Sequence, residues 1–223
     1  MALPLQSLKM LAPYLSGANV LSLGYPDILV PADRIQALFG YTPEKFSDDA
    51  TRKWHRQSFP LPQTEELFER LESTLTVVDF TADRGMEKIA DLNEPHDLGK
   101  FDLVIDPGTL EHCFNIGQAF LNAANAVKVG GRIFHLSPLN MMNHGFFNLN
   151  PTLFHDFYEQ NGWEAEISLV PQPVGGMDPT ARFAVNAEYL VRCLAQRRTD
   201  AALKYAVQTK YLMKMAQRER RAA

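Results

Sequence analysis

The chain has 223 residues, of which 46% are hydrophobic and 22% charged, with a formal net charge of −4. That size and balance suit one globular domain with an ample core, and exclude a disordered or fibrous chain. No apolar run approaches the ~18 residues of a membrane span, so none is expected.

The first 15 residues place Leu5, Leu8, Leu11 and Leu15 at helical spacing. Their single basic residue is Lys9, and no small-residue cleavage site follows, so a helix is expected and a secretion signal is not. Residues 18–23 form a strand ending at Gly24. Residues 31–39 return as a helix, with Ile35, Leu38 and Phe39 on its apolar side. Residues 41–62 are polar, with Trp54, Phe59, Pro60 and Pro62 interspersed, and read as a loop or lid. A short helix over 63–71 leads to a strand at 75–80, a strand-like link at 89–93 and a strand at 101–106. Ile116, Phe120, Ala123 and Val127 share one face of a helix over 116–129, which Gly130-Gly131 ends before a strand at 132–136. Asn150-Pro151 opens the next helix, with Gly162 past its end. A strand at 163–170, a loop at 171–180 containing Gly175-Gly176, a strand at 187–194 and a helix over 199–221 complete the chain.

Strands alternating with helices imply right-handed crossovers and a mostly parallel, doubly wound α/β sheet with helices on both faces. The domain runs over 1–195, with an inserted helical or loop segment at about 31–72 and a basic C-terminal helix within 196–223. From Gln196 onward eight Lys and Arg face two acidic residues, which leaves 14 basic and 24 acidic residues elsewhere. The acidic body argues against a nucleic-acid partner. The stripe of Lys210, Lys214, Arg218 and Arg221 reads as a solvated face, capable at most of weak contact with an anionic surface. Cys113 and Cys193 stand in apolar stretches, not in a metal-spaced pair. They suit a reducing compartment, so the cytoplasm is the expected location and no metal is expected.

In an open α/β sheet, ligands bind beyond the carboxyl ends of the strands. Those exits are polar here: Gly24-Tyr25-Pro26-Asp27, then Asp79 at the tip of "LTVVDF", then Asp91-Leu92-Asn93. After "FDLVID" comes Pro107-Gly108-Thr109-Leu110-Glu111-His112, and after "RIFHL" a loop that includes Asn143-His144-Gly145. The first turn lacks the second and third glycines of a dinucleotide loop. The first acidic strand tip also lies far more than ~20 residues beyond it, which disfavours a nicotinamide-dependent oxidoreductase.

Five segments in order carry a resemblance: "LGYPD", "DLNEP", "FDLVIDPGTLEHCFN", "VKVGGRIFHLSP" and "HGFFNLNPTLFHDF". Over about residues 18–195 the chain resembles the class I S-adenosylmethionine-dependent methyltransferases, most closely a bacterial subgroup associated with surface-glycan gene clusters. The resemblance implies a Rossmann-like fold, S-adenosyl-L-methionine as cofactor, and O-methylation of a sugar hydroxyl or other small polar acceptor. It assigns Asp79 to the ribose hydroxyls, Gly24 to the methionine end, and Asp91 with the backbone of Leu92 to the adenine amine. Asp27 and Gly108 complete the cofactor set. A nucleic-acid amino-methyltransferase is disfavoured, because Asp106-Pro107-Gly108-Thr109 lacks the second proline and the aromatic residue of that class.

Methyl transfer is an in-line displacement, for which a protein supplies mainly alignment and desolvation. An alcohol acceptor must also lose a proton, a task suited to a histidine general base. His112 and His144 are the candidates, and Glu111 can orient His112 or accept a hydrogen bond from the acceptor. Read alone, the residues leave other roles open: Asp79 can cap a turn, and Glu111-His112 can start the following helix. His135, inside a strand, reads as a packed core residue. The sparse glycine turn keeps one alternative function open, an inactive fold of this type serving in binding or assembly.

Overall fold

The computed structural model describes residues 1–142, 144–172 and 188–222. A short strand β1 (Ala2–Pro4) leads into α1 (Leu5–Leu11), which a single 3-10 turn, Ala12–Tyr14, prolongs. β2 (Asn19–Leu23) and β3 (Asp27–Leu29) follow, then α2 (Ala32–Phe39), α3 (Asp49–Trp54) and α4 (Thr64–Arg70). Next come β4 (Thr74–Asp79), β5 (Lys88–Ile89), β6 (Phe101–Asp106), α5 (Ile116–Asn125) and β7 (Val127–Pro138). α6 (Pro151–Gln160), β8 (Glu164–Gln172), β9 (Glu188–Gln196) and α7 (Thr209–Ala222) close the chain.

β2 explains the architecture. Val20 to Leu23 are all buried, and a strand without a polar face belongs inside a parallel sheet covered on both sides. The seven-stranded sheet has the order β5-β4-β2-β6-β7-β9-β8. Its first five strands are parallel, while β9 runs antiparallel between β7 and β8. Side chains alternate across the sheet. Leu21, Leu23 and Val104 pack under α5 and α6 with Phe120, Phe154 and Tyr158. Val20, Leu103 and Ile105 pack under α1, α2 and α4 with Leu8, Leu11, Ile35 and Leu67. The result is the α/β fold expected, a mostly parallel sheet with helices on both faces. Among the described residues no helix is long and apolar enough to cross a membrane.

One polar group crosses the core. Asp106, His135 and Tyr158 are fully buried, with Asp106 Oδ2 2.8 Å from His135 Nδ1 and Tyr158 Oη 2.6 Å from Nε2. Burial pushes the Tyr158 phenol well above its usual range, so it stays protonated and donates to Nε2. Nδ1–H is then left to donate to Asp106. The Phe120 ring stacks on the imidazole at 5.0 Å between centroids. His135 is therefore the hydrogen-bonded core histidine that its strand position suggested.

Local differences from the sequence reading have physical reasons. Residues 3 and 4, expected to lie at the head of a helix over 3–15, belong to β1, which pairs parallel with β3 in a separate two-stranded ribbon. The 41–62 segment is not all loop: Asp48 accepts from Thr51 N at 2.7 Å and caps α3, and Phe46 bridges Pro62. The helix expected to reach 129 stops at Asn125, and Gly130-Gly131 lie inside β7. β7 and β6 shift register between Phe101 and Leu103. A Cβ on Gly131 would come 2.8 Å from Asp102 O, so only glycine fits that crossing. The C-terminal helix begins at Thr209 rather than 199, and side chains take up backbone groups of the preceding chain. Asn161 exchanges hydrogen bonds with the Lys204 backbone at 2.9 and 3.0 Å, and Gln160 with Val207 at 2.6 and 3.0 Å. The expected Asn150 cap on α6 is present, accepting from Thr152 N at 2.9 Å. The Gly175-Gly176 loop lies outside the described residues.

Candidate active site

From β2 the chain runs outward through β4 and β5, then returns to add β6 and β7 on the other side. The direction of winding switches beside β2, where such sheets open a crevice. Gly24 turns the chain there with φ +78°, a left-handed conformation that side chains resist, and its N–H donates to Val78 O at 2.7 Å. Ser22 Oγ donates to Gly24 O at 2.7 Å, and Thr109 Oγ1 donates to Leu23 O. The Leu23–Val78 pairing sets Asp79 beside this turn.

A cleft of about 270 Å³ opens at these strand ends, lined by Asp79, Phe80, Asp91, Leu92, Thr109 and His112 among others. Asp79 is half-buried, and its Oδ1 accepts from its neighbour, Phe80 N, at 2.7 Å. Asp91 Oδ1 accepts from Asn93 N at 3.0 Å and from Asn93 Nδ2 at 2.6 Å. Those bonds, the backbone one first, hold the Asp91 carboxyl below the usual range, so it is ionised. Leu92 is buried, and its carbonyl accepts from Asn122 Nδ2 at 3.1 Å, which fixes the wall. Met1 also lines the cleft and lies over Gly24, where a Cβ would meet its Cε at 2.0 Å.

The turn after β6 carries the second group. Asp106 Oδ1 accepts from Thr109 N at 2.9 Å and Leu110 N at 3.3 Å, curling the chain so that Glu111 and His112 follow at once. Glu111 is 1% exposed. Its Oε1 is 3.4 Å from His144 Nε2, and among the described residues its buried Oε2 has no hydrogen-bond partner. Glu111 O accepts from Phe146 N at 2.8 Å, which pins the His144 loop. The His112 and His144 rings lie 5.1 Å apart. Burial lowers the His112 pKa, partly opposed by Glu111 and reinforced by His144, so the ring is neutral at pH 7. Gly108 backs this group: a Cβ there would come 3.1 Å from Glu111 Oε1. Burial, first, raises the Cys113 thiol to about 11, leaving it an inert wall of the cleft.

Asp27 stands apart from the cleft lining, 5% exposed. His55 Nε2 lies 2.8 Å from its Oδ2, and Arg84 Nη2 lies 3.0 Å from both oxygens. The Arg84 guanidinium covers the Tyr25 ring at 4.8 Å, and Tyr25 donates to Glu65 at 2.5 Å. The clamp ties the 41–62 segment and the loop after β4 to the first turn. Asp27→Ala leaves two cationic or polar partners without their acceptor, at about 1.5–3 kcal/mol. Thermal melts should fall by several degrees, at about 2–4 °C per kcal/mol, and limited proteolysis should cut first within residues 41–62.

The structure thus gathers Asp79, Asp91, Leu92 and His112 around one cleft, with Glu111 and His144 adjoining through His112. Phe80 gave no signal beyond its strand, and Thr109 and Asn93 stand in the strand-exit turns with no role assigned from sequence, although Asp-x-Asn is the spacing of an Asx turn. His55 and Arg84 gave no signal, since their partner is 28 and 57 residues away. A larger cavity, about 540 Å³, lies between α6 and the start of α7. Its one carboxylate, Asp156, is committed to Thr209 and His155 at 2.7–3.0 Å, so it offers no comparable chemistry.

No family model and no curated protein matches the chain. Solved structures do. One is a 1,6-didemethyltoxoflavin-N1-methyltransferase from Burkholderia thailandensis, solved with 1,6-didemethyltoxoflavin and S-adenosylhomocysteine. It is 15% identical over 86% of this chain and 78% of that one, with a TM-score of 0.48. An S-adenosylmethionine-dependent methyltransferase from Mesorhizobium loti is 13% identical over 86% and 96% of the two chains, with a TM-score of 0.46. An O-methyltransferase family protein, also from B. thailandensis, is 13% identical over 88% of this chain and 57% of that one, with a TM-score of 0.37.

Proposed function

We propose that this protein transfers a methyl group from S-adenosyl-L-methionine to a hydroxyl of a small polar acceptor, a sugar being the class the sequence resemblance implies. One observation carries the reading. Two strand-tip carboxylates, Asp79 and Asp91, share a cleft with His112 at the point where the winding of the sheet switches. Asp79 suits two adjacent ribose hydroxyls, since a carboxylate accepts two hydrogen bonds side by side. The ionised Asp91 suits an amine donor, and Phe80 and Leu92 offer apolar walls to a flat base. Gly24 offers the amino-acid end of the cofactor a backbone without a Cβ once the Met1 side chain that covers it moves aside. When bound, the cofactor supplies an electrophilic methyl group, and the chain aligns it with the acceptor.

The acceptor proton departs against the Glu111–His112–His144 group, which borders the cleft. Two buried thiols, Cys113 and Cys193, fit work in the reducing cytoplasm. The Lys210, Lys214 and Arg218 side of α7 gives weak attraction to anionic surfaces.

Calorimetry with S-adenosylmethionine and S-adenosylhomocysteine tests the reading, and binding by the wild type is expected. His112→Ala and His144→Ala should each keep that binding and lose about 100-fold or more in turnover, followed as labelled methyl transferred to a panel of sugars. Full activity in both variants would refute their part in proton removal. A wild type that binds neither ligand supports instead a binding or assembly role for the fold.

A further inference from the structure

We infer that Glu111, His112 and His144 form a site for one divalent first-row transition-metal cation, at the acceptor end of the cleft. One ligand atom from each lies within 4.8 Å of the others. The 3.4 Å between Glu111 Oε1 and His144 Nε2 is a long hydrogen bond. It is close to the roughly 3 Å that separates two ligands set at right angles about 2.1 Å from an ion. Two imidazoles and one carboxylate suit manganese, iron, cobalt or zinc better than magnesium or calcium, which prefer all-oxygen sites.

Glu111 supplies the independent observation. A carboxylate 1% exposed needs its oxygens satisfied, yet Oε2 has no hydrogen-bond partner among the described residues. Nor does any Lys or Arg pair with it: its one ion pair there is with His144, whose charge depends on protonation. A buried charge left in this state is costly, whereas a bound cation would satisfy it. The turns that carry the ligands are also held in advance, and the donors, up to 4.8 Å apart, need only draw in to the at most about 4.2 Å that two ligands about 2.1 Å from one ion allow. Asp106 fixes the turn that presents Glu111 and His112, and Phe146 N anchors the His144 loop on Glu111 O. The His144 side chain is 42% exposed, so three protein ligands would leave positions open toward solvent. The other triad of donors, His155, Asp156 and Glu159, has no such vacancy, since Asp156 is already engaged by Thr209 and His155.

The role of the cation rests on the proposed methyl transfer; its binding does not. An acceptor hydroxyl that ligates the ion surrenders its proton to water more readily. The histidines then serve as ligands, and their loss removes the cation rather than a base.

The test is titration of the full chain, cleared of metal by chelator, with Mn²⁺ alone, by calorimetry and by electron paramagnetic resonance. One equivalent should bind to the wild type. Glu111→Gln, which keeps the side-chain shape, and His144→Ala, on a surface loop, should each weaken binding by about 100-fold or more, with circular dichroism unchanged. Absent binding by the wild type, or binding that both variants leave intact, overturns the site. S-adenosylmethionine calorimetry on the same samples separates the two ideas: cation bound without cofactor refutes the methyltransferase reading alone, and cofactor bound without cation refutes the metal site alone.

Discussion

Asp79→Ala is expected to weaken S-adenosylmethionine binding by about 100-fold or more in calorimetry while melting within a few degrees of the wild type. The two halves of this expectation have separate causes. Hydrogen bonds to a charged acceptor contribute about 1.5–3 kcal/mol each, and every 1.4 kcal/mol is tenfold in affinity. Two ribose hydroxyls donating to one carboxylate therefore exceed two orders of magnitude. Within the fold, by contrast, Asp79 is half-buried and among the described residues accepts only from Phe80 N, so its removal strands no distant group there. Asp79→Asn retains an acceptor oxygen and should fall between the two. Unchanged affinity in Asp79→Ala would remove the ribose role and return the residue to capping its turn.

The largest effect on stability is expected at Asp106. Asp106→Ala removes the acceptor for His135 Nδ1, Thr109 N and Leu110 N together, in a fully buried place. Breaking such a buried pair costs about 3–5 kcal/mol, a fall in melting temperature of about 6–20 °C. Tyr158→Phe should cost less, about 1–3 kcal/mol, since only Nε2 of His135 is stranded. Differential scanning calorimetry orders the pair. A Tyr158→Phe change as severe as Asp106→Ala would mean that the phenol, not the carboxylate, organises the group.

The sheet was readable because three of its parallel strands, β2, β4 and β6, are mainly apolar runs of five or six residues that end in glycine or acid, as at Leu23-Gly24 and Val78-Asp79. The cleft followed from them, since strand ends mark where ligands enter and short-range chemistry such as Asp91-x-Asn93 sits there. What resisted reading depends on distant partners or on too few residues. β1 and β3 have three residues each, too short for any period to show. Asp27 looked like a cofactor residue because its clamp comes from His55 and Arg84, neither near it in sequence. Gly130-Gly131 read as a helix stop, although Gly131 serves a tight strand crossing. The Glu111–His144 approach needed a loop folded back over 33 residues.

The position of β2 also bears on how the chain reaches this state. Asn19, at its head, bonds Thr74 and Asp102, 55 and 83 residues further along. A strand buried on both faces must therefore wait for two later partners, and during synthesis nearly half the chain is made before its second edge is covered. Contacts closed over such spans slow folding and lengthen exposure of sticky edges. The glycine turn that ends β2 thus becomes native only after β4 and β6 are made, while β6 and β7 wait in turn for β7 and β9.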